Sequence, residues 1–279
     1  MMEIIIIFAG FILGTIIGSF LNVVALRFNT GKSLAGRSEC FSCKKSLSWY
    51  ELFPVLSWCI QRGRCRHCSS KISPQYFFGE ITAGVFFALV TARGIITSFD
   101  WFSNSYLIST LFLFLVFGIL LVVLFYDIRH KIIPDMLSLV FGLLSFGGMF
   151  FFGFENSVFT YIGFHIPELV ELFSGILIPL PFVLLWIFSK GRWLGLGDPK
   201  LMIGMGFLLG LQKGISAVFV SFWLGALYVI VMVVFEKITK KSLLRSNKKS
   251  IMKQELPFAP FLIIGTLIVL VSTINLFAL

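Results

Sequence analysis

The feature that most constrains this chain is a series of apolar blocks. Each is about as long as a helix needs to cross a hydrocarbon core, roughly 20 residues. They fall at 4–26, 77–97, 105–126, 133–153, 169–189, 199–211, 215–235 and 258–278. Eight such blocks predict an all-α fold, a polytopic helical membrane protein with about eight transmembrane helices. A β-barrel would instead alternate apolar and polar residues over segments of about ten, and the sequence has no such segments. Hydrophobic residues make up 58% of the chain and charged residues 13%, about half the charged share of a soluble domain. A soluble enzyme and a disordered chain are thereby excluded. The 34 Phe are spread through the blocks and read as packing or lipid-facing bulk. The first block follows Glu3 without the basic n-region and small-residue cleavage site of a secretory signal, so it is expected to remain a span. The block at 199–211 is short, and it is expected to tilt, break or lie partly inside the bundle.

The distribution of charge orients the blocks. All of the 23 Lys and Arg except Arg93 and Lys213 fall in segment 27–76, in the turns after the third and fifth blocks, or in the segment after the seventh. Cytoplasmic loops carry the excess of basic residues, so these segments are expected in the cytoplasm and both termini outside. The formal net charge of +10 then follows from topology and from contact with anionic lipid. The bilayer is the expected partner, and no nucleic-acid role is needed.

The blocks also divide the chain into a first transmembrane helix at 1–26, a cytoplasmic insertion at 27–76 and a transmembrane core at 77–279. The insertion holds Cys40-Phe41-Ser42-Cys43 and Cys65-Arg66-His67-Cys68. Paired CxxC motifs at this separation match a zinc ribbon, in which each short turn supplies two of four tetrahedral thiolates. Nearby Lys44, Lys45, Arg64 and Arg66 favour thiolate over thiol. The other uses of such pairs are redox dithiols or two disulfides; a reducing cytosol argues against permanent disulfides. About fifty residues bury little core of their own, so the metal is expected to be structural and to supply folding energy. Cys59 lies outside the pattern and is expected to be a buried thiol.

Acidic residues at the edges of spans are the next filter. Asp127 closes the third block, and Asp198 opens the sixth in Gly195-Leu196-Gly197-Asp198-Pro199-Lys200. The charge pattern places both at the cytoplasmic membrane surface. Two adjacent carboxylates share a proton. One then serves as base on a water while the other hydrogen-bonds the scissile carbonyl, which is aspartic protease chemistry. Each aspartate also has an ordinary use, Asp198 as a helix N-cap before Pro199 and Asp127 as a turn residue beside Arg129 and Lys131. Gly195 and Gly197 are expected to let the backbone bend and another chain approach. Asp135, in Ile132-Ile133-Pro134-Asp135, is a rival to Asp127. A transporter using both aspartates as ion ligands, or a zinc-stabilised scaffold, would be the readings from other classes. Transporters commonly carry internal repeats, and the sequence has none visible.

In order along the chain, Gly18-Ser19-Phe20-Leu21-Asn22-Val23-Val24, the two CxxC pairs, Trp49-Tyr50-Glu51, Pro54-Val55-Leu56-Ser57-Trp58, Arg62-Gly63-Arg64-Cys65, Asp127 with Ile133-Pro134-Asp135, Gly195 to Leu201, and Leu256-Pro257-Phe258-Ala259-Pro260-Phe261 resemble the bacterial type IV prepilin leader peptidases. That family is a GxGD class of membrane aspartic proteases. The resemblance implies cleavage of the short basic leader of prepilin or pseudopilin substrates of type IV pilus or protein secretion systems, at the cytoplasmic face of the bacterial inner membrane. In bifunctional members it implies N-methylation of the new N-terminus with S-adenosylmethionine as methyl donor. It transfers the catalytic roles to Asp127 and Asp198, with Gly195, Gly197 and Lys200 in the active-site loop. It associates Glu80 and the cysteine module, with its zinc, with the methylating form. A member that only cleaves is the alternative. Leu52-Phe53 and Phe77-Phe78-Gly79 depart from the family pattern.

Overall fold

The computed structural model describes residues 1–31, 33, 36–97, 103–155, 158–192, 195–239, 256–272 and 276. They form two compact units, Met1–Phe125 and Tyr126–Leu279, and the division falls within a single helix.

In the first unit, α1 (Met2–Arg27) packs along α3 (Pro74–Thr97). The contact is made by small residues. Gly10, Gly14 and Gly18 recur every fourth position and so form one stripe on α1. A Cβ at Gly14 would lie 2.6 Å from the Ala83 carbonyl oxygen, and one at Gly18 would lie 2.5 Å from Ala83 Cβ. Helices in lipid gain little from hiding apolar surface from one another, so close backbone approach through small residues drives their association. Between α1 and α3 lie a single 3₁₀ turn (Trp49–Leu52) and the short α2 (Leu56–Ile60). α4 (Asn104–His130) follows; its Phe114 stacks on Phe87 of α3 with centroids 4.2 Å apart.

The second unit begins with the last turn of α4 and continues through α5 (Asp135–Gly148), a hairpin of β1 (Phe152–Glu155) and β2 (Val158–Tyr161), α6 (Leu169–Leu177), α7 (Leu180–Ser189), α8 (Gly197–Thr239) and α9 (Ala259–Val271). The block at 133–153 is thus shorter as a helix than expected. Gly147 and Gly148 end it, since glycine costs about 1 kcal/mol in a helix, and Phe152 enters an antiparallel pair with Tyr161. The block at 169–189 is divided at Ile178 and Pro179, where proline has no N–H to continue the helix.

The sixth and seventh blocks form α8, interrupted at Gly210 with φ 72° and ψ 179°. That backbone region is open essentially to glycine alone. A Cβ at Gly214 would lie 3.7 Å from Gly206 Cα, whereas eight residues of straight helix rise about 12 Å. The chain therefore folds back at Gly210, so the two blocks are separate helical arms joined by a turn tighter than the loop expected at 212–214. The first arm, of roughly 20 Å, is too short for a full crossing. Ser174 of α6 donates to the Gly206 carbonyl at 2.8 Å and pins that arm.

Helices long and apolar enough to cross a membrane are α1, α3, α4, the α6–α7 run and α8, with α5 and α9 as shorter apolar helices. The protein is a multi-pass helical membrane protein, with one small hairpin that the apolar pattern did not predict.

Candidate active site and metal centre

The cysteine cluster is built from two copies of one turn. Cys40 N–H donates to the Lys45 carbonyl at 3.0 Å and Lys44 N–H to the Cys40 carbonyl at 2.9 Å. At the same offset along the chain, Cys65 N–H donates to Ser70 O at 2.8 Å and Ser69 N–H to Cys65 O at 2.9 Å. Each turn closes on a left-handed residue, Lys44 (φ 59°) and Ser69 (φ 55°), and each is flanked by an isolated antiparallel bridge, Glu39–Ser46 and Arg64–Lys71. The repeat brings the sulfurs of Cys40, Cys43, Cys65 and Cys68 within 4.8 Å of one another. The Cys40–Cys68 sulfur separation is 3.8 Å, close to the edge of a tetrahedron with metal–sulfur bonds of about 2.3 Å. The four cysteines are therefore positioned to bind a metal ion.

The electrostatics of the cluster point the same way. The Cys43 N–H, followed by the Ser70 hydroxyl, lowers the Cys40 thiol to about 6. Ser70 also lowers Cys68. At Cys43 the Lys45 N–H favours thiolate, but desolvation and the other sulfurs outweigh it and push the group up to about 11. Four thiolates this close repel one another unless a cation joins them. Ser70 Oγ, 3.1 Å from Cys68 Sγ and 3.6 Å from Cys40 Sγ, is part of this centre and was not singled out in the sequence. The repeated offset between the two turns was the available signal. Cys59 corrects the sequence expectation: it is exposed on α2, not buried.

The second constellation lies in the second unit. Asp127 sits in the last turn of α4 and is buried. The chain leaves that helix through Lys131 (φ 56°), whose N–H donates to the Asp127 carbonyl at 2.7 Å. Asp198 lies in the first turn of α8, one residue inside the helix and not at its N-cap. The two carboxylates are near enough for Asp198 to feel the charge of Asp127. Two contacts link their surroundings, and a third brings in α9. Ile133 lies against Gly197, where a Cβ would sit 3.1 Å from Ile133 Cβ. Lys200 Nζ pairs with Asp135 Oδ1 at 2.6 Å. The N–H of Ala259, at the start of α9, donates to the Asp127 carboxyl. Oδ2 of that carboxyl is buried with no hydrogen-bond partner among the described residues.

These contacts reassign some residues. Neither Gly195 nor Gly197 takes a positive φ, and the chain bends between them at Leu196. Gly197 instead makes room for Ile133, and Gly195 faces open space. Asp135 is exposed and bound to Lys200. Ala259 was noticed only as part of a motif. A Phe-Ala-Pro opening a helix carries a free N–H just before a proline, which is the signal that could have marked it.

Glu80 lies in α3 of the first unit and is buried. Its Oε2 accepts the Val55 N–H at 2.7 Å, and the Ser19 side chain also hydrogen-bonds it.

Two family models match the chain: the bacterial peptidase A24 N-terminal domain over residues 12–93, and the type IV leader peptidase family over residues 114–230. A prepilin leader peptidase/N-methyltransferase of Bacillus subtilis (strain 168) is 29% identical over 263 residues, covering 92% of this chain and 91% of that protein. A protein of the same name from Dickeya chrysanthemi is 31% identical over 229 residues, 72% of this chain and 74% of its own length. Another, from Vibrio cholerae, is 27% identical over 214 residues, with 72% and 76% covered. No solved structure matches the chain.

Proposed function

The chain belongs to the type IV leader peptidase family, and from that premise we propose that Asp127 and Asp198 are its catalytic pair. The protein is a prepilin leader peptidase with N-methyltransferase activity. The observation that carries the assignment is the buried Asp127 carboxyl, approached by the Ala259 N–H, with Oδ2 lacking a partner among the described residues, within electrostatic reach of Asp198. In cleavage, one carboxylate takes a proton from the attacking water as the other, protonated, hydrogen-bonds the scissile carbonyl. The water oxygen adds to the carbonyl carbon, the C–N bond breaks, and the departing amine takes up the proton. Gly195 leads into, and Gly197 and Lys200 belong to, the first turn of α8 that carries Asp198 to this position, supported by the Ile133 and Asp135 contacts.

The four cysteines hold Zn2+ as a structural ion. Thiolates only, at tetrahedral spacing, leave no open ligand position for chemistry. The module at 27–76 and Glu80 serve methylation, for which S-adenosylmethionine supplies the methyl group. Prepilins or pseudopilins are the substrates. Family membership supports a bacterial inner-membrane location, and the concentration of Lys and Arg in alternate segments supports cysteines and aspartates on its cytoplasmic side. Mass spectrometry of a co-expressed prepilin tests both activities at once. Loss of the leader and gain of a methyl group are expected; an intact leader would overturn the peptidase reading, and a cleaved but unmethylated product the transferase reading.

A further inference from the structure

Where α1 meets α3 in the first unit, the contact holds a buried polar cluster that the cleavage chemistry does not use. Asn22 is 1% exposed. Its Nδ2 donates to the Tyr76 carbonyl at 3.4 Å, which fixes the amide's orientation, while Oδ1 has no hydrogen-bond partner among the described residues. Gly79 makes room for it, since a Cβ there would lie 2.7 Å from both Oδ1 and Nδ2. The next residue is Glu80, 7% exposed. It holds the N–H of Val55, a β-branched residue at φ 60°, a conformation such residues rarely adopt. Among the described residues no Lys or Arg is paired with the Glu80 carboxyl.

A buried carbonyl oxygen without a donor and a buried carboxyl without a cation each cost stability unless something completes them. The open acceptor is Asn22 Oδ1, so the missing partner is a donor, and the neighbouring Glu80 carboxyl, which has hydrogen bonds from Val55 and Ser19 but no cation, favours a charged one. One carboxyl and one amide oxygen are too few ligands for a metal site. A primary ammonium, compact and with three N–H donors, fits.

We propose that Asn22 and Glu80 form a binding site for a primary ammonium group. The inference rests on the methyltransferase reading for its biological ligand, because that reaction offers two such groups: the pilin amine freed by cleavage, and the amino group of S-adenosylmethionine.

Binding to the purified full-length protein in detergent separates them without requiring turnover. One arm compares a mature pilin N-terminal peptide bearing a free amine with the same peptide acetylated. The other compares S-adenosylhomocysteine with methylthioadenosine, which lacks the amino-acid group. In one arm the ammonium-bearing probe should bind at least ~10-fold tighter, the scale of a hydrogen bond to a charged group. Asn22→Leu and Glu80→Gln should reduce that preference to less than ~2-fold, whereas Asn22→Asp, which keeps an acceptor, should retain it. The arm that responds identifies the ligand. Absence of preference in both arms for wild type, a comparison that needs no variant, would overturn the site; so would a preference that survives both Asn22→Leu and Glu80→Gln. Ammonium preference without methyl transfer would leave the site standing and remove the transferase reading instead. Methyl transfer without preference would remove the site alone.

Discussion

The cysteine cluster and the aspartate pair are assembled in opposite ways. Each half of the cysteine cluster is a closed local turn, held by hydrogen bonds four and five residues along the chain and ended by one left-handed residue. Only the meeting of the two turns is long-range, and the metal itself can enforce it. The aspartates have no such local device. Asp127 ends one helix and Asp198 begins another. Their proximity depends on Ile133 fitting Gly197, Lys200 reaching Asp135 and α9 presenting the Ala259 N–H. A locally built site should survive distant disturbance and fail with its ligands, whereas a site built by tertiary contacts should be sensitive to packing well away from the reacting groups.

The largest effect is expected at the carboxyls. Asp127→Asn and Asp198→Asn should each lower prepilin cleavage by about 10²–10⁴-fold while the protein still inserts in the membrane, as read by cleavage assays on detergent-purified protein. Activity retained by Asp127→Asn but lost by Asp135→Asn would shift the assignment to Asp135.

Metal content comes next. Wild type should carry about one zinc per chain, and a Cys40→Ser, Cys43→Ser double variant should lose it in elemental analysis. The same variant should lose methyl transfer to pre-cleaved pilin more than it loses cleavage. Asp198→Asn should still methylate that pre-cleaved substrate, since amine methylation needs a positioned nucleophile and donor, not the carboxyl pair. Equal loss of methylation in the two variants would contradict separate sites.

Packing between the aspartate loops should matter less than the carboxyls but measurably. Gly197→Val places a branched side chain where Ile133 lies. Overpacking of this kind costs about 1–3 kcal/mol, and cleavage should fall accordingly, with partial recovery in Gly197→Val, Ile133→Ala. Independent, additive losses would show that the Ile133–Gly197 contact does not link the loops. The smallest effects belong to the surface. The Asp135–Lys200 pair is exposed, with 76% of the Asp135 side chain accessible, and exposed pairs contribute about 0–1 kcal/mol. Asp135→Asn should therefore retain cleavage within roughly fivefold, and Cys59→Ser should leave metal content unchanged.

Much of this was legible before folding, for reasons visible residue by residue. The membrane-spanning class follows from helix length against bilayer thickness, a one-dimensional quantity, and the sixth and seventh blocks are separate arms that meet at Gly210 and not in a loop. CxxC spacing likewise encodes a local turn. The hairpin at 152–161 was hidden because a short aromatic-rich stretch beside an apolar block has no distinguishing period. The exposure of Cys59 was hidden because a membrane protein can leave apolar residues outward, as Leu56 and Ile60 on the same helix also are.

By itself, then, the sequence determined the membrane-spanning architecture, the division of charge, the four thiol ligands and the identity of two aspartates at helix ends. All of these depend on residue type and on spacing along one dimension. Tertiary structure alone decided that Gly197 is small because Ile133 lies on it, that Ala259 N–H serves Asp127, and that Asn22 carries an unanswered acceptor near Glu80. Such roles arise when distant helices meet, since whether a buried polar atom is satisfied depends on neighbours that the linear order of residues does not specify.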